Sequence, residues 1–179
     1  ALPLLNDKDY LLMNVDTLKK TLWLLVLTLV QVLILNHVHL FGFATPLLYI
    51  YFIILFQRNY PRWALLLWGF ALGLLVDIFS NSTGVNCATL TLMAFIQPYL
   101  LRPFIPRDSA DDMQPGIRTL GTASFCYYAF LMTFIFCVVF FSLEMFSFFN
   151  ILFWLECVGG STLLTYLLIL VIENVRRTA

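Results

Sequence analysis

Two carboxylates stand inside apolar runs of this chain. Asp77 lies in GFALGLLVDIFSNSTG, residues 69–84, and Glu156 lies in the last apolar segment. An acid in membrane-grade sequence is costly to place, and by default it marks a polar cavity, an ion path or a partner contact. Asp77 follows Gly73 by four residues and Gly69 by eight, so on a helix the three share one face. A GxxxG step lets a second helix approach to backbone distance, from the same chain or from a partner. Asp77 has two readings: an interfacial acid that caps the turn SNSTG through its backbone N–H groups, or a functional acid in a helix-lined cavity. Glu156 has Gly159 and Gly160 one turn further on. Asp77 is about 22 Å along its helix from Arg62, and Glu156 about 12 Å from Phe148, which puts both acids in the outer half of the bundle. No lysine or arginine falls in the connections on that side. The acids can be neutral, can use His37 or His39, or can meet a cation or donor from a partner.

No other catalytic pattern accompanies them. The chain has no HExxH, no glycine-rich phosphate loop and no supported Ser/His/Asp set. One aspartate and one glutamate do not make an acid–base pair for catalysis. Cys87, Cys126, Cys137 and Cys157 are scattered singly, without metal-ligand spacing, and read as small buried hydrophobes. Asn81-Ser82-Thr83 matches a glycosylation acceptor but reads as a tight turn. The expectation is a non-enzymatic protein with no cofactor, no metal and no nucleic-acid partner.

The elements that must position these residues follow from composition. The chain is 61% hydrophobic and 11% charged, against roughly 25% charged in globular proteins. A soluble domain of this size cannot hide that much apolar side chain, and the apolar residues run on without alternating, which argues against a β-barrel. Six apolar segments stand out: 20–36, 46–57, 62–79, 87–101, 119–141 and 148–172. The second is short, about 18 Å of helix against a hydrocarbon core of about 30 Å. Thr45 and Pro46 read as its cap and first turn, with 37–45 extending it outward. If all six cross, all ten basic residues lie on one side; if the second does not, they split three against seven. The positive-inside rule favours the first arrangement and puts both termini in the cytoplasm. The loop 102–118 then faces the cytoplasm, its arginines anchored at the headgroups. Residues 1–12 lack a signal-peptide layout and read as an N-terminal extension or cloning remnant before Met13, with 13–179 a single six-helix membrane domain.

The stretch Gly73-x-x-x-Asp77-x-x-Ser80, the small polar turn, Gly84 and then Ala88 resembles the rod shape-determining MreD family. Gly42 and Pro46 ahead of the second segment, and Gln57-Arg58 closing it, are similar too. The resemblance covers most of the chain from Met13, with its specific part in about sixteen residues. The phenylalanine richness, and Asn86 and Cys87 at the start of the fourth segment, depart from it. The family implies a bacterial inner-membrane scaffold for lateral cell-wall (peptidoglycan) synthesis within the elongasome. Its partner would be the single-pass protein MreC, and through it RodA, its transpeptidase and MreB filaments. It also implies an all-α six-transmembrane-helix bundle resembling the S component of energy-coupling-factor transporters. Partner contact or helix packing is expected at Gly69, Gly73, Asp77, Ser80, Gly84 and Glu156. A solute-binding S component is the alternative. It is disfavoured because the first segment has no alanine between Lys20 and Asn36 to match the Ala-x-x-x-Ala docking pattern. A small proton- or lipid-handling enzyme using both acids is a further alternative, disfavoured because no acid continues the path inward.

Overall fold

The computed structural model describes residues 7–34, 46–110, 113–146 and 150–178, and it is all-α among them. The helices are α1 (Asp7–Leu33), α2 (Ile50–Ile54), α3 (Arg62–Ser80), α4 (Val85–Leu101), α5 (Ile117–Leu120), α6 (Thr122–Met145) and α7 (Ile151–Thr178), with a 3₁₀ turn at Arg102–Phe104. Three of them, α3, α6 and α7, are long and apolar enough to cross a membrane. Large apolar side chains such as Leu67, Ile78, Leu152 and Leu163 stand exposed on these helices, as a lipid-facing surface requires. α4 has only 17 residues, about 25 Å of helix. α1 has 27 residues, with Asp16, Lys19 and Lys20 in its first half. α1 begins at Asp7 and so includes residues 7–12.

The second apolar segment departs most from expectation. Pro46 does not open a helix: residues 46–49 are turn and coil, and α2 is only five residues long. The expected outward extension, 37–45, lies outside the described residues. Every residue from Leu47 to Ile54 is buried, so this segment is the centre of the fold. Such a segment leaves backbone groups without helical partners, and in an apolar interior they must be satisfied by something else. Four helices supply the partners. Gln31 of α1 donates to the Pro46 carbonyl (2.8 Å) and accepts from the Leu48 N–H (3.0 Å). Thr165 of α7 accepts from the Leu47 N–H (3.0 Å). Tyr128 of α6 donates to the Ile54 carbonyl and Gln97 of α4 to the Phe56 carbonyl. Gln31, Thr165, Tyr128 and Gln97 are all buried.

The fifth apolar run is also divided. Gly121, with φ +85°, separates α5 from α6, and α7 runs six residues past the expected end at 172. Around the central segment, α3 packs chiefly on α4, α6 on α7, and α4 on α6.

The basic residues gather at one end. Lys20 Nζ lies 3.8 Å from the centre of the Tyr60 ring, and Arg62 and Arg102 flank Tyr99. Arg58 donates to Ser109 Oγ (3.1 Å), Arg176 to Gln114 Oε1 (3.2 Å), and Arg118 to the Arg177 carbonyl. Asp77 stands at the far end of α3 from Arg62.

Candidate functional site

The Asp77 carboxylate faces the start of α4. Asn81 ends α3 in the left-handed conformation, its φ at 52°. Gly84 opens α4 at φ +87°, where a side chain would be strained. A glycine at the cap position brings no side-chain oxygen for the first N–H groups of the helix, so these need an acceptor from elsewhere. Asp77 provides it across the turn: Oδ2 accepts from the Cys87 N–H (2.9 Å) and Oδ1 from the Asn86 N–H (3.2 Å). The same Oδ1 accepts from Asn86 Nδ2 (2.9 Å) and from the Ser82 hydroxyl. A negative charge at a helix N-terminus is also favoured by the helix dipole. Tyr49 of the central segment closes the network by donating to Asn86 Oδ1. Asp77 is 6% exposed.

Gly73 and Gly69 make this arrangement possible. A Cβ on Gly73 would lie 2.4 Å from the Cys87 Cα, and one on Gly69 would lie 2.9 Å from the Ala94 Cβ. Both glycines therefore pack α3 on α4 within the chain. The Gly-x-x-x-Asp spacing has an internal meaning: Gly73 brings α4 to backbone contact, and one turn later Asp77 reaches its first N–H groups.

A second polar cluster occupies the basic end. Glu173 of α7, 4% exposed, accepts from Tyr51 Oη (2.6 Å) and from the Ile117 N–H (3.1 Å). Arg176 Nη1 lies 3.6 Å away. Gly116 leaves room for this carboxylate, since a Cβ there would meet Oε1 at 2.8 Å. Tyr49 and Tyr51 thus tie one buried segment to polar clusters at opposite ends of the fold.

Of the residues singled out from sequence, Gly69, Gly73, Asp77 and Gly84 come together in the α3–α4 hairpin, and Ser80 ends α3 beside them. Glu156 does not join them: it is exposed on α7 and does not line the space beside Asp77. His37 and His39 lie outside the described residues. Sequence reading missed Tyr49, Tyr51, Glu173 and Gln31. The two tyrosines carried one signal: a phenol hydroxyl within an apolar run needs a hydrogen-bond partner when buried. Glu173 lies one residue past the last apolar run, 148–172, where sequence alone gives no sign of burial.

Beside the hairpin runs an open groove of about 940 Å³, walled by Phe70, Leu74 and Ile78 of α3 and Leu92 and Phe95 of α4. It ends at the polar atoms of Asp77, Asn81 and Ser82. Among the described residues no group of acids, cysteines and histidines could hold a metal. All four thiols are free, Cys137 and Cys157 being buried. Compared with known proteins, the chain matches no family model, and neither a curated protein nor a solved structure matches it significantly.

Proposed function

We propose that this protein is a non-enzymatic scaffold of the MreD type in the bacterial cytoplasmic membrane, holding a single-pass partner such as MreC and, through it, the wall-synthesis machinery. The reading rests on the residues quoted above and on one structural observation: the groove along α3 and α4. Its walls are mostly apolar, with Thr91 bonded back to the Cys87 carbonyl, and its polar residues Asp77, Asn81 and Ser82 gather at the hairpin turn, which suits a helix that emerges there into water. The hairpin is rigidly built for such a role, because Asp77 and both glycines are engaged within it.

In this reading α1, the segment 46–57, α3, α4, α6 and α7 make six passes, as in the transporter S components. The clustering of Lys20, Arg58, Arg62, Arg102, Arg118 and Arg176 at one end supports a cytoplasmic position for that end and for both termini.

The test is affinity isolation from native membranes in mild detergent, comparing the wild-type chain with Leu74→Trp. Leu74 is exposed in the groove, so the larger ring obstructs it while leaving the α3–α4 contact alone. We expect MreC and wall-synthesis enzymes with the wild type, and at least fivefold less with the variant at equal expression. Recovery of ATPase subunits and a coupling protein instead would identify a transporter component.

A further inference from the structure

At the basic end a second cavity, about 590 Å³, opens between α1 and α7, with the central segment as its back wall. α1 and α7 make no substantial packing contact with each other, so nothing in the described fold closes it from the side. Lys19, Lys20 and Arg176 line its polar end, with Asp16 as the acid among them. Among the described residues the one ion pair is Arg176–Glu173. Among the described residues neither lysine forms an ion pair within 4.0 Å; Asp16 interacts with Lys20 at longer range, and Lys20 lies over the Tyr60 ring. Arg176 Nη2 donates to Gln114 Oε1, and both residues line the cavity. Further along, the walls become apolar, with Trp23 and Leu55 on one side and Ile172 and Val175 on the other. Trp23 and Val175 are exposed at the mouth.

We propose that this cleft binds one anionic phospholipid, its phosphate between Lys19, Lys20 and Arg176 and its acyl chains between α1 and α7. Lysine supplies point charge, and arginine supplies directed N–H donors to phosphate oxygens. Basic pockets between membrane helices suit such headgroups. A free anion would use only the cations; the adjoining apolar walls, open sideways, match an amphiphile.

The proposal is tested on the full chain, delipidated in non-ionic detergent, with retained lipid counted by native mass spectrometry. Phosphatidylglycerol is expected to be retained in one copy, and phosphatidylcholine at least tenfold less. Lys19→Gln/Lys20→Gln should lower phosphatidylglycerol retention about tenfold, and Lys19→Arg/Lys20→Arg should preserve it. Arg107→Gln, in the exposed loop outside the cleft, should change nothing. Val175→Trp narrows the apolar mouth with every charge in place and should also reduce retention, so the inference does not depend on how the lysine variant folds. Equal retention of the two lipids, or an equal loss in Arg107→Gln, would reduce the effect to general charge and overturn the site. Displacement of the lipid by excess inorganic phosphate would mean a free-anion site and overturn the lipid reading. Retention unchanged in both the lysine and Val175 variants would also overturn it.

Discussion

At the scale of residues, Asp77 carries the most consequence. Its two oxygens accept from the Ser82 hydroxyl, two backbone N–H groups and the Asn86 amide. Removing a buried acceptor leaves its donors unsatisfied, at about 1–3 kcal/mol for such a group. Asp77→Ala is therefore expected to lower stability by about 2–3 kcal/mol, and Asp77→Asn, which keeps one acceptor oxygen, by distinctly less. Reversible unfolding in mixed micelles measures both. Equal stability of Asp77→Ala and wild type would show that the network contributes nothing. This role makes Asp77 an unsuitable probe of partner binding, because its loss disturbs the hairpin first.

At the scale of elements, the α3–α4 contact depends on two absent side chains, and the geometry ranks them. The Gly73 Cβ would strike backbone atoms of Cys87 and Asn86, whereas the Gly69 Cβ would meet the Ala94 methyl and the Leu90 carbonyl at 2.9 and 3.0 Å. Overpacking costs about 1–3 kcal/mol. Gly73→Ala is thus expected to be the more destabilising of the two, and to weaken the Asp77 cap by pushing α4 away. Thermal denaturation of the two variants in one detergent reads the order, and the reverse order would contradict the packing. The central segment follows a different logic: buried Gln31, Gln97, Tyr128 and Thr165 replace the partners that a continuous helix would have provided itself.

For the whole molecule, the prediction concerns which end meets which compartment. With the part-exposed thiols Cys87 and Cys126 replaced by alanine, and Cys137 and Cys157 left buried, one cysteine introduced at Thr83 or at Arg107 marks each end, both positions being exposed. In intact cells, or spheroplasts where an outer membrane is present, an impermeant maleimide should label Thr83→Cys and not Arg107→Cys. Labelling of Arg107→Cys alone would reverse the orientation, and equal labelling of both would contradict a bundle with opposite ends.

Sequence by itself pointed to a helical membrane protein, because no soluble fold of this size can bury so many apolar residues, and it located α3, α4, α6 and α7 to within six residues at either end. It also marked the Gly69, Gly73 and Asp77 face, since helical periodicity puts residues four apart together whatever surrounds them. Which way that face points was decided only by tertiary structure. The spacing is the same for a partner helix and for α4, and only the close approach of Cys87 distinguishes them. The broken central segment was equally hidden. Apolar residues in a row are compatible with a helix, and the side chains that satisfy its free backbone groups come from positions 15 to 118 residues away. The Tyr51–Glu173 contact spans 122 residues. Local propensity carries no information about such partners, because their proximity arises only when the helices pack.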